Sequence, residues 1–186
     1  MTIGSRCLVK LAIVLLATSL VMGCVAMPRT ENLKPTSVPV IQRIPRTVSL
    51  SVDPSITVYP DRGLGSRVPQ DRYLEAVRQT LAESKLFAAI SPKGEADYDL
   101  YATVFRERMI VADRVAGYVL EYDIVADWRL VSADSGESLF HEEITGRGHA
   151  NVGDAFNGIT RNTVARERGA QETIEEGIRK LSELSL

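Results

Sequence analysis

The chain has 186 residues, 45% of them hydrophobic, and sets 22 Lys and Arg against 24 Asp and Glu for a formal net charge of −2. A nucleic-acid binder shows a basic excess or a basic stripe, and neither is present, so that class is excluded. Both cysteines, Cys7 and Cys24, lie near the start. Everything after them must be held by packing rather than by disulfides, and its length is ample for one core.

In chain order, Arg6 and Lys10 precede an uncharged apolar run of 12 residues, 11–22. A spanning helix needs about 20 apolar residues, so residues 1–23 read as a signal peptide and not as a membrane span. The run closes with Leu20-Val21-Met22-Gly23-Cys24, which resembles the lipobox of bacterial lipoproteins. That resemblance implies cleavage after Gly23, then a thioether-linked diacylglycerol and an amide-linked acyl chain on Cys24. Two or more chains anchor a protein stably, at about 0.8 kcal/mol per buried methylene. The alternative is an ordinary cleaved signal followed by an accidental cysteine. Val25 stands where lipoproteins retained in the inner membrane of enteric-type bacteria usually carry Asp, which implies the outer membrane and its periplasmic face. Cleavage would remove two bases and no acid, leaving 20 basic and 24 acidic residues and a formal charge of −4.

Residues 24–46 are expected to be the lipidated cysteine and a tether. Pro28, Pro35, Pro39 and Pro45 punctuate them without sustained periodicity, and fully extended they would reach roughly 65 Å. Val38, Val40 and Ile44 leave open an extra edge strand. A single domain, 47–186, then begins with the alternation of Val48, Leu50 and Val52, continued past Pro54 by Ile56 and Val58; this is a strand at an edge or interrupted at the proline. Asp61-Arg62-Gly63-Leu64-Gly65 reads as a loop. Tyr73, Val77 and Leu81, joined by Leu74, predict a helix over 69–85. Leu86, Phe87 and Ile90 form a short apolar segment before the turn Pro92-Lys93-Gly94.

Three strands follow: one through Tyr98, Leu100, Ala102 and Val104, a long one from Tyr118 to Leu130, and a weaker one at Phe140, Glu142 and Ile144. The turn Ala133-Asp134-Ser135-Gly136 makes the last two an antiparallel hairpin. A final helix over 160–184 carries Ala170, Ile174, Ile178 and Leu181 on one side. Its Gly169 and Gly177 each cost about 1 kcal/mol relative to alanine, which points to close packing on the sheet. The order β-α-β-β-β-α predicts an α+β two-layer sandwich: a mostly antiparallel sheet of about four strands with two helices on one face.

Chemical motifs are few. His141-Glu142-Glu143-Ile144-Thr145 approaches the zinc-protease pattern, but Thr145 replaces the second histidine and the segment reads as strand. Gly63-Leu64-Gly65 and Gly146-Arg147-Gly148 lack the third glycine of a dinucleotide fingerprint and read as strand-end flexibility. Glu121, Asp123 and Asp127 share one face of the long strand; a carboxylate pair or a calcium site is conceivable there, but a solvated face with cross-strand partners such as Arg106 or Arg108 is favoured. No metal or cofactor is implied, and no serine elbow or mature thiol marks a nucleophile.

The stretch Asp154-Ala155-Phe156-Asn157-Gly158-Ile159-Thr160-Arg161-Asn162, continued by Ala165-Arg166-Glu167-Arg168-Gly169-Ala170, resembles the start of the C-terminal helix in small Gram-negative lipoproteins of the YajG type. The strand order and Ala96-Asp97-Tyr98-Asp99-Leu100 are similar as well, and more distantly so are the auxiliary lipoproteins of ABC-type envelope transport. The resemblance covers most of 47–186. It implies a periplasmic α+β domain that serves an envelope machine and brings no catalytic residues. Arg161, Arg166, Glu167 and Arg168 read as a solvated helix face or, more sharply, as a partner-docking surface. The expected function is a non-catalytic accessory or docking component of an envelope complex; the alternative is a binder of a lipid or other apolar ligand in a groove between helices and sheet.

Overall fold

The computed structural model describes residues 27–59, 67–112 and 119–186, so Cys24, the loop at 61–65 and Tyr118 lie outside the described residues. A one-turn helix α1 (Thr30–Leu33) precedes β1 (Ile44–Ser51), α2 (Gln70–Ser84), β2 (Phe87–Ile90), β3 (Tyr98–Ala112), β4 (Val119–Ser132), β5 (Ser138–Asn151) and α3 (Gly158–Leu181). The sheet order is β2-β1-β3-β4-β5. β1 runs parallel to both β2 and β3, while β3, β4 and β5 form an antiparallel meander. The α+β sandwich with helices on one face is as expected. The sheet has five strands rather than about four, because Phe87 and Ile90, next to Leu86, belong to an edge strand too short to show a period of two.

Alternation in β4 does what the pattern demands. Tyr122, Ile124, Ala126, Trp128 and Leu130 face the helices and are fully buried. α3 crosses them at close range. A Cβ at position 177 would come within 2.6 Å of Trp128 Cε2, and one at position 148 within 1.8 Å of the Ala165 carbonyl oxygen. Gly146 and Gly148 are therefore not strand-end flexibility: they sit within β5, where the helix backbone lies directly on the strand. Between the helices, Tyr73 of α2 is fully buried; its hydroxyl lies 3.0 Å from Thr173 Oγ1 and accepts from Trp128 Nε1 at 3.2 Å. Burial holds that phenol in its neutral form by pushing its pKa up.

Residues 27–43 are not an extended tether. Pro28, Leu33 and Pro35 are buried, and α1 packs on α2 and α3. Glu167 accepts from Arg29 N and Asn32 Nδ2, both at 3.0 Å. Further along, Ile41 N and Gln42 N donate to Ser182 at 3.2 and 3.1 Å. Burying the Leu33 side chain contributes about 1.5–3 kcal/mol to holding the segment, alongside these hydrogen bonds. The same packing starts β1 at Ile44, three residues before the expected boundary.

Candidate functional site

With the helices on one side, no described helix covers the other side of the sheet, and pairing register fixes what it displays. Ser49 and Asp99 lie in one row with Val131; Thr103, Asp127 and Glu143 lie in a second, and Arg108, Asp123 and Arg147 in a third. Asp123 is buried yet doubly paired: Arg108 Nη2 donates to Oδ2 at 2.9 Å and Arg147 Nε to Oδ1 at 3.1 Å. Asp127 is also buried, with Oδ2 2.7 Å from His141 Nε2 and Oδ1 without a hydrogen-bond partner among the described residues. Asp53, on the loop leaving β1, receives Arg129 Nη2 at 2.5 Å, and its own N–H donates to Thr103 Oγ1 at 2.9 Å. Burial opposes ionisation of Asp53, but the Ser55 hydroxyl and N–H, then Arg129 and His141, outweigh it and hold the carboxyl below its usual range. Arg129 in turn lies over the Tyr101 ring, 5.0 Å from its centre.

Of the two arginines expected as partners, Arg108 meets Asp123, while Arg106 stands opposite Val125. His141 and His149 share the open face but lie eight residues apart along β5, and among the described residues no three His, Cys, Asp or Glu side chains gather as a metal site. The outer ends of Arg108, His141, Glu143, Thr145, Arg147 and His149 remain exposed. They form a charged strip carried on a buried acidic layer.

The helix residues expected at a docking surface are placed otherwise. Arg166 is fully buried, and Arg161 and Glu167 nearly so. Arg166 Nε lies 2.9 Å from Glu107 Oε2, its guanidinium stands 4.3 Å from the centre of the Tyr122 ring, and Nη1 donates to Asn162 Oδ1 at 3.0 Å. Arg161 donates to the carbonyls of Ala155 and Phe156 at 2.9 and 2.7 Å. These three residues fasten α3 to the sheet and to the N-terminal segment. Only Arg168 of that group points outward, to Asp154 at 2.5 Å. Arg168 and the Asn151 N–H depress the Asp154 carboxyl to about 2.

No family model matches the chain, and no curated protein matches it in sequence. Solved structures share its fold. A DUF330 protein from Xanthomonas campestris is similar at 17% identity with a TM-score of 0.55, covering 79% of this chain and 90% of its own. A hypothetical protein from Chlamydia trachomatis is similar at 8% identity and a TM-score of 0.53, covering 75% and 96%. A minor lipoprotein from Acinetobacter baumannii is similar at 10% identity and a TM-score of 0.52, covering 75% and 92%. At such identities the likeness is one of fold.

Midway between helices and sheet, Trp128, Tyr122, Ile174 and Ile178 are fully buried. A cavity of about 570 Å³ lies instead at the β2 edge, lined by Ile44, Leu81, Phe87, Ala89 and Ile90 with Arg43 and Lys85 at its rim. The other edge, β5, is partly capped. Arg147 N donates to Glu172 Oε2 at 2.6 Å, the His149 carbonyl accepts from Arg168 at 2.7 Å, and Asn151 N donates to Asp154 at 2.9 Å. Such capping protects a long edge strand from adventitious pairing.

Proposed function

We propose that this protein is a non-catalytic lipoprotein, anchored through Cys24 to the periplasmic face of the outer membrane, whose open sheet face docks on a cell-envelope transport or assembly complex. The observation that carries the docking assignment is the one-sided sandwich. Helices cover one face, while the other presents an ordered strip of Arg108, His141, Glu143, Arg147 and His149 over buried carboxylates. Asp127 Oδ1 adds a buried acceptor that a partner's donor would satisfy. A lipoprotein among the fold neighbours, together with the lipobox-like run ending at Cys24, supports the anchor. The kinship with YajG-type lipoproteins belongs to the same reading.

A photo-crosslinker at Thr145 on the open face should capture a reproducible envelope protein, while one at Glu175 on the exposed side of α3 should not; capture from Glu175 alone would sink the assignment. Mass analysis of the mature N-terminus tests the anchor separately, and an unmodified Cys24 would remove it. The second reading, binding of an apolar ligand, is favoured by the cavity at the β2 edge. Saturable displacement of a fluorescent fatty acid, abolished by Ala89→Trp, would support it.

A further inference from the structure

The described N-terminal segment runs beside α3 in the same direction as the helix. Arg29 N donates to Glu167, Gln171 donates to the Lys34 carbonyl at 3.3 Å, and Ile41 and Gln42 reach Ser182. Followed backwards from Gln42 to Arg29, the described segment heads toward the end where α3 begins, and Arg29 lies beside Glu167, the tenth residue of that helix. The Pro28 carbonyl accepts from Arg72 in the first turn of α2. Exposed Met27 is the first described residue. Cys24 stands three positions earlier, no more than about 11 Å of extended chain away.

That same end carries exposed apolar side chains. Phe156 is 91% exposed, Ile159 follows it in the first turn of α3, and Met109 and Ile110 lie near the end of β3. Phe156 sits immediately before the N-cap Asn157, where an apolar residue ordinarily packs on the fourth helical residue. Here the fourth residue is Arg161, whose guanidinium turns back onto the carbonyls of Ala155 and Phe156. The backbone is pinned and the ring stays outside. Among the described residues the remaining exposed large hydrophobics lie elsewhere: Val58 and Tyr59 beside Phe105 midway along β3, and Ile41 and Leu186 toward the opposite end.

We propose that this end of the molecule is apposed to a lipid surface, with Phe156 and Ile159, flanked by Met109 and Ile110, seated in the interface of the leaflet that holds the acyl chains of Cys24. The placement rests on the lipidation of Cys24 proposed here. A short leash and a fixed aromatic act together: the lipid brings the surface within reach, and the apolar side chains set the orientation. The strands then stand up from the membrane and the open sheet face is turned along it.

The test uses the full chain expressed in a Gram-negative host, purified from its membranes and reconstituted into vesicles of phosphatidylethanolamine and phosphatidylglycerol, with and without brominated acyl chains. Buried Trp128 serves as the internal reference. Phe156→Trp should give emission that is blue-shifted and quenched by the brominated chains, whereas Ser135→Trp, in the β4–β5 turn at the far end, should show neither. Mass analysis of the N-terminal peptide is read on the same preparation. Equal quenching of the two variants with Cys24 acylated overturns the apposition and leaves the anchor standing. A Cys24 without acyl chains overturns the anchor and the apposition with it.

Discussion

On the covered face one ion pair, Arg166 with Glu107, is sealed beneath α3 with side chains only 1% and 6% exposed. On the open face Asp53, Asp123 and Asp127 are buried to a similar degree, yet Arg129, Arg108, Arg147 and His141 meet them with side chains whose outer ends reach solvent. Sequence chemistry is alike in the two places and the energetic consequence is not. A sealed cation that loses its partner keeps its full desolvation penalty, whereas one that straddles the surface relaxes into water.

Arg166→Met should therefore carry the largest effect, a loss of about 3–5 kcal/mol in urea unfolding, because it removes the buried cation that faces the Glu107 carboxylate. Adding Glu107→Gln to that variant should recover part of the loss, and a loss no greater than that of a surface pair would erase the contrast. Gly177→Ala probes the same face without charge. Its Cβ would press on Trp128, and overpacking of this kind costs about 1–3 kcal/mol, read from the same unfolding curves. On the open face Arg147→Ala should cost about 0.2–1 kcal/mol, since Arg108 still pairs with Asp123. If the strip docks a partner, that variant should lose capture at Thr145 out of proportion to its stability.

Acid sharpens the comparison last, and only away from neutrality. The folded state holds Asp53 below its usual value and Asp154 at about 2. Their contribution to stability is complete above the ordinary carboxylate range and is lost as pH falls through it, toward about 2 for Asp154. A melting-temperature profile should fall along that limb, and Asp154→Asn should flatten its lowest part.

Regular elements were legible wherever burial imposed a period. The helix at Tyr73, Val77 and Leu81 and the long strand through Trp128 appear within a residue or two of their expected bounds, because one-sided burial writes a period of 3.6 or 2 into the chain. β2 was missed as a strand, its four residues being too few to show alternation. The segment 27–43 was misread because its prolines and polar residues look unstructured locally, and its anchor, Leu33, is a single apolar residue without a repeat. Of the candidate site, the shared face of the β4 carboxylates could be read from alternation, but Arg108 meets Asp123 only because the register of β3 shifts between Val104 and Arg106, and the burial of Asp123 and Asp127 could not be read at all. It arises from long side chains on neighbouring strands folding over them.

By itself the sequence determined the class of fold, the α+β order of its main elements and the acidic, disulfide-free character of everything after Cys24. Tertiary structure alone decided which charges are inside. Helical spacing places Arg161, Arg166 and Glu167 near the side of α3 that meets the sheet, but an arginine there is ordinarily read as solvated. It is buried only because Gly146 and Gly148 let the helix descend onto β5 while Glu107 and Tyr122 arrive from two other strands to receive it. A local pattern carries the period of an element. The partners that make a buried charge tolerable come from residues distant in the chain.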